Sequence, residues 1–189
     1  MVQISAGSLR ERVTVMSLAR DTNGNYYWAE VWKAWTDAQL DTKSNLFSSV
    51  GIGARGVTFV IRKHSGLTLH DAFLWKGQHC FLTAILPHDH PGYLMVKAAL
   101  AEGRTCRKDA DLTPAGCTFP GILTEKYVKH EQPDLHAEVT TDYVLMTPKV
   151  ISLAPGSWVT VDDAFYRVQV PHLLDPYKNE YEIRRREDC

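Results

Sequence analysis

The chain has 189 residues, 44% of them hydrophobic and 23% charged, a composition that supplies the core of one domain or two small ones and excludes disorder over most of its length. Twenty-one Lys and Arg stand against 22 Asp and Glu, a formal net charge of -1, so no chain-wide field draws the protein to DNA or anionic lipid, and any such contact must come from a local patch. No apolar run approaches the roughly 20 residues of a membrane helix, and the start Met1-Val2-Gln3-Ile4-Ser5 has no basic and then apolar leader, so a protein that stays in the cytoplasm, away from membranes, is expected.

Ala6-Gly7-Ser8 reads as a turn, after which Val13 and Val15 open an alternating stretch. Asp21-Thr22-Asn23-Gly24-Asn25 is a turn cluster ahead of Tyr26-Tyr27-Trp28, and the combination predicts a β-hairpin. Val31, Trp32 and Trp35 continue an aromatic strand. Between residues 40 and 56 the composition shifts to Ser, Gly and Asn, with Leu46, Phe47 and Val50 at i, i+1 and i+4, which fits an inserted short helix or loop. From Val57 the alternation returns, with Val57, Phe59 and Ile61 on one face and Thr58, Val60 and Arg62 on the other. Strands at Phe73 to Trp75 and Cys80 to Ile85 flank Lys76-Gly77-Gln78-His79, a hairpin connection, and a turn at Pro87 to Gly92 precedes a strand at Tyr93 to Leu100. These elements define a first unit over residues 1–100.

Residues 101–118 carry few large apolar groups and mix charge with Gly and Pro, as a linker does. A second β-rich unit follows over 119–189, with strands at Ile122 to Val128, Tyr143 to Met146, Trp158 to Val161, Ala164 to Val170 and Glu180 to Arg185. Phe73-Leu74, a polar turn and Cys80-Phe81-Leu82 resemble Trp158-Val159, the turn Asp162-Asp163 and Tyr166-Arg167-Val168, and each set is followed by a Pro-His pair, Pro87-His88 and Pro171-His172. The expected fold is therefore all-β: two small antiparallel barrel-like units, the first with a helical or loop insertion at 40–56 and the second a diverged duplicate of it.

Few residues suggest chemistry. His88-Asp89-His90, with His70-Asp71 and His79 upstream, offers imidazole and carboxylate groups for a metal or acid-base site and hence for a hydrolase, but a Pro-bounded turn commonly uses such side chains on its own backbone. Ser5, Ser8, Ser48 and Ser49 sit in no Gly-x-Ser-x-Gly elbow, and no Walker or Rossmann glycine pattern occurs. Cys80, Cys106, Cys117 and Cys189 read as reduced thiols in a chain large enough to fold without disulfides. No catalytic residue, metal or cofactor is expected. Tyr26, Tyr27, Trp28, Trp32 and Trp35 could stack on bases as in an oligonucleotide-binding barrel, although aromatics at strand spacing more often form core or subunit contacts. Arg184-Arg185-Arg186 could meet phosphates or an acidic partner, diluted by Glu182, Glu187 and Asp188, while Arg10 and Arg12 flank Glu11 on the exposed face of the first strand.

The ordered set Gly7-Ser8-Leu9-Arg10-Glu11-Arg12-Val13-Thr14-Val15, Asp21-Thr22-Asn23-Gly24, Trp28, Val31-Trp32-Lys33-Ala34-Trp35, Val60-Ile61-Arg62-Lys63 and Gly77-Gln78-His79-Cys80 resembles the head-tail joining, or head closure, proteins of tailed bacteriophages over about residues 4–100. It departs from that pattern in lacking an acidic residue in Thr42-Lys43-Ser44-Asn45 and in carrying Cys80 where a Tyr is usual. The resemblance implies a structural neck protein, not an enzyme, assembled in the host cytoplasm and found in the virion. It implies a homo-oligomeric ring of 12 or 6 copies between portal or adaptor proteins and tail terminator or tail tube proteins, with transient contact to packaged DNA. The insertion would close the channel through Leu46, Phe47 and Val50. Arg10, Arg12, Trp28, Trp32, Arg184, Arg185 and Arg186 are the candidate subunit or partner interface. The alternative is a single-strand nucleic-acid-binding barrel module.

Overall fold

The computed structural model describes residues 9–41, 56–109, 116–126 and 142–186. Twelve strands occur among them: β1 (Glu11–Arg20), β2 (Tyr26–Leu40), β3 (Gly56–Arg62), β4 (Ala72–Trp75), β5 (Gln78–Pro87), β6 (Tyr93–Ala101), β7 (Arg104–Asp109), β8 (Thr118–Lys126), β9 (Asp142–Pro148), β10 (Trp158–Val161), β11 (Ala164–His172) and β12 (Lys178–Arg185). They close into two six-stranded barrels, ordered β1-β2-β3-β6-β5-β4 and β10-β11-β12-β9-β8-β7. The described residues group into two compact units, one of 9–20, 27–41 and 56–102, the other of 21–26 together with those from 103 onward.

Alternation dictates the first barrel. Val13, Val15, Val57, Phe59, Ile61, Phe73, Cys80 and Val96 are buried in one cluster, at alternating positions along β1 and β3, while Val60 on the opposite face of β3 and Ala72 beside Phe73 are buried as well. Phe59 meets Phe73 and Trp75 edge-on, with ring centroids 5.4 and 5.6 Å apart, a geometry worth about 0.5–1.5 kcal/mol per pair beyond area burial. The Asp21 motif is a turn held by its own side chain: the carboxylate accepts from Asn23 N at 2.9 Å, Asn25 N at 2.7 Å and Asn25 Nδ2 at 2.9 Å, and Gly24 takes φ +88°. Those donors, led by the Asn25 side chain, hold the Asp21 carboxyl below its usual range.

The second barrel buries Phe119, Leu145, Val159, Val161, Val168, Tyr181 and Ile183. Tyr181 is fully buried without loss because its hydroxyl donates to Ile151 O at 2.9 Å and accepts from Leu153 N at 3.2 Å.

The span expected to be a linker, 101–118, instead contains β7, which pairs with both β8 and β10 and is needed to close the second barrel. Its polarity conceals it, since Cys106 is its one apolar inward residue and its other buried position is Asp109. Burial of that carboxylate is compensated by Arg107 Nε at 2.9 Å and by the Thr160 hydroxyl. The second unit thus begins near Gly103 rather than at residue 119.

The two barrels share one plan. Each closes by pairing its first strand with its fourth, β1 with β4 and β7 with β10. Gly56 to Asp142, Ala72 to Trp158 and Gln78 to Ala164, the starts of the third, fourth and fifth strands, are each separated by the same 86 positions. Registers agree as well: Phe59 opposes Val96 where Leu145 opposes Tyr181, and Leu82 opposes Ala98 where Val168 opposes Ile183. The repeat visible in the sequence falls on the β4-β5 and β10-β11 hairpins. Each barrel also joins its second and third strands largely through residues outside the described set, 42–55 in the first and 127–141 in the second. Leu46, Phe47 and Val50 lie in the first of these connections and so outside the described residues.

Candidate functional site

On the first barrel, the outward edge formed by β2 and the end of β3 carries a concentration of rings and cations. β2 and β3 run antiparallel with Thr36 opposite Ile61, which sets Trp35 and Arg62 just beyond the last registered pair. Thr36 is buried and its hydroxyl donates to Val60 O at 3.0 Å, so this corner of the barrel is fixed. Strand alternation then turns Trp32 and Ala34 against the core while Lys33 and Trp35 face outward, Trp35 being 54% exposed.

An open cleft of about 510 Å3 results, lined by Trp32, Trp35, Arg62, Lys63 and His64 together with Leu9, Lys33 and Ala34. The His64 imidazole stacks on the Trp32 indole, with centroids 4.2 Å apart and planes 27° apart. His64 Nδ1 accepts from Gly66 N at 3.2 Å, which leaves the ring proton on Nε2. The Arg12 guanidinium lies 5.0 Å over the Trp35 ring. Lys33 Nζ pairs with Glu30 at 2.8 Å, and since both groups are exposed the pair holds Lys33 only weakly. Among the described residues lining the cleft there is no carboxylate.

Of the residues expected at an interface, the structure brings Arg12 and Trp32 to this cleft, and Arg10 is exposed immediately before β1. Trp28 is placed elsewhere on β2, its ring 5.4 Å from that of His79, whose pKa burial pushes down to about 4. Arg184, Arg185 and Arg186 are exposed at the end of β12 in the second unit; Arg184 lies directly across from Arg167, and Arg186 N donates to Phe165 O at 2.9 Å. In the sequence Arg62 stands only on the outer face of its strand and, with Lys63, in the Val60-Ile61-Arg62-Lys63 piece, and His64 is marked by no motif.

The His88 region is a turn built on its own imidazoles. His88 Nδ1 accepts from His90 N at 3.0 Å and His90 Nδ1 from Gly92 N at 3.4 Å, with both rings edge-on to Tyr93. Among the described residues no group of three His, Cys, Asp or Glu side chains is placed to hold a metal ion. Cys80 and Cys106 are buried thiols whose pKa values desolvation pushes up to about 12, the opposite of nucleophile activation. No family model, curated protein or solved structure matches the chain.

Proposed function

We propose that this protein is a structural component of a tailed-phage neck, a head-tail joining or stopper protein that acts by assembling into a ring and closing the DNA channel. The observation that carries the reading is the order in which the motif pieces fall on the strands of one closed barrel and on the turn that joins its first two strands. The Leu9-to-Val15 segment leads into and forms the start of β1, Asp21 to Gly24 is the turn, and Trp28 and Val31 to Trp35 lie on β2. An insertion follows, then Ile61-Arg62 ends β3 and Gly77 makes the β4-β5 turn. Pieces that could each arise by chance serve here as successive parts of one strand order.

The second barrel fits the same role as a further layer or docking surface built on the same plan. Closed barrels satisfy their own backbone and leave loops and outward faces for neighbouring copies, which suits ring assembly.

The test is quantitative mass spectrometry of purified virions of the encoding phage, counting this chain against the portal protein. A count equal to the portal's, or half of it, supports the neck assignment. Absence from the particle overturns it.

A further inference from the structure

We propose that the Trp32-Trp35 cleft of the first barrel binds single-stranded nucleic acid, with an unpaired base against the exposed Trp35 indole and phosphates on Arg62 and Lys63. The inference does not depend on the neck assignment. Three observations carry it.

The first is chemical complementarity. The cleft offers the Trp35 indole, 54% exposed, beside the Arg62 and Lys63 cations at the end of β3, and among the described residues no carboxylate lines it. Its volume of about 510 Å3 falls within the roughly 300–1,000 Å3 range of pockets that hold a small ligand. Aromatic platforms in a positive groove are the means by which single strands are held without sequence preference. A duplex keeps its bases stacked inside and would offer only phosphates to such a surface.

The second is an internal control. Counting along the equivalent strands from their shared registers, Trp32 and Trp35 correspond to Cys117 and Pro120 in the second barrel, and Arg62 and His64 to Pro148 and Val150. Lys63 corresponds to Lys149, whose Nζ is committed to Leu173 O at 2.8 Å and Asp175 O at 2.7 Å. The same barrel therefore closes without a single ring or available cation at these positions. Barrel architecture does not account for the cluster.

The third is extension beyond the pocket. Tyr27, Val31 and Trp35 recur every fourth residue on the outward face of β2, at 50%, 59% and 54% exposure. Such a row suits a strand running along β2 better than a free nucleotide confined to the pocket.

The test is fluorescence anisotropy of a labelled oligothymidylate of about ten nucleotides, within the span of one small barrel, titrated with the full chain at several salt concentrations. Salt-sensitive binding is expected, with Trp35→Ala weakening it about tenfold, the effect of removing one stacked base. Arg62→Ala/Lys63→Ala should weaken it and flatten the salt dependence. Both variants alter exposed side chains, and Lys97→Ala, on the outer face of β6, should leave binding unchanged. Absence of binding, equal binding by a duplex or a mononucleotide, or indifference to Trp35→Ala and Arg62→Ala/Lys63→Ala would overturn the proposal. A negative result here with a positive virion count would remove the cleft's role and leave the neck assignment standing.

Discussion

Thr83 in β5 and Gln169 in β11 are the same irregularity in two barrels: each is skipped by the pairing to the next strand, and each is the sixth residue after the second residue of its hairpin turn, Gly77 or Asp163. A bulge bends its strand and increases twist, which a small barrel needs to close. The two turns match as well, with φ of 51° and 79° at Lys76 and Gly77 and of 46° and 71° at Asp162 and Asp163.

That match makes Asp163 improvable. A two-residue hairpin with positive φ at both positions favours Asn-Gly or Asp-Gly, and the second barrel uses Asp-Asp. Left-handed backbone costs an ordinary L residue about 1–2 kcal/mol, less for Asp, and glycine avoids that cost while giving back some unfolded-chain entropy. Asp163→Gly is expected to stabilise the second barrel by about 0.5 kcal/mol. Asp162 keeps its 2.9 Å contact with Arg104. Gly77→Ala should destabilise the first barrel by about 1 kcal/mol. Urea midpoints at unchanged slope would measure both, and a lower midpoint for Asp163→Gly would remove this account of the turn.

Gly121 poses the reverse case, a position that admits no side chain. A Cβ built there would lie 2.7 Å from Cys106 Sγ and 2.9 Å from Leu145 Cδ1, both in the packed core. Gly121→Ala should therefore cost about 1–3 kcal/mol through overpacking. Cys106→Ala removes one of the two clashing atoms, so adding it to Gly121→Ala should recover part of the loss. Strict additivity of the two substitutions would show that they do not meet in the core.

The sequence discloses this fold wherever inward residues are apolar. Val57, Phe59 and Ile61 declare β3, and Trp158 to Val161 declares β10 to the residue. It conceals β7, where the inward Asp109 is paired with Arg107 and accepts from the Thr160 hydroxyl, two and fifty-one residues away, so local composition resembles a linker. The cleft was half legible. Trp32 and Arg12 stand out by type, but Arg62, Lys63 and His64 acquire meaning only when antiparallel pairing sets the end of β3 beside Trp35.

The buried thiols give a chemical test of barrel closure. Desolvation raises the pKa values of Cys80 and Cys106 to about 12 from the ordinary 9.0, so near pH 8 their thiolate fraction falls about a thousandfold, in addition to the steric block. Alkylation of the native protein should mark Cys117, which is only half-buried, well before either of them. Both should react once urea opens the barrels. Because folding favours their protonated form, their contribution is complete below about pH 9 and is lost as pH rises toward 12. Rapid native labelling of Cys80 or Cys106, located by peptide mass mapping, would contradict the closed barrels.

His79 titrates in the opposite sense. Burial lowers its pKa to about 4 from 6.5, so between those values the unfolded chain takes up a proton that the folded barrel refuses. Stability from this group is constant above pH 6.5 and declines as pH falls toward 4, by at most about 3 kcal/mol for the full shift and less to the extent that water reaches the ring. Glu11, held below its usual range chiefly by its 3.0 Å contact with Lys76, also loses stabilisation in acid, so the total slope belongs to several groups. The His79 share is isolated by difference: in His79→Gln the titrating imidazole is gone while Glu11 and Lys76 remain. The gap between wild-type and variant unfolding free energies should therefore close, or move in the variant's favour, by about 2 kcal/mol from pH 7 to pH 4.5. Parallel curves across that range would place the protonatable face of His79 in water and remove burial as the cause of its lowered pKa.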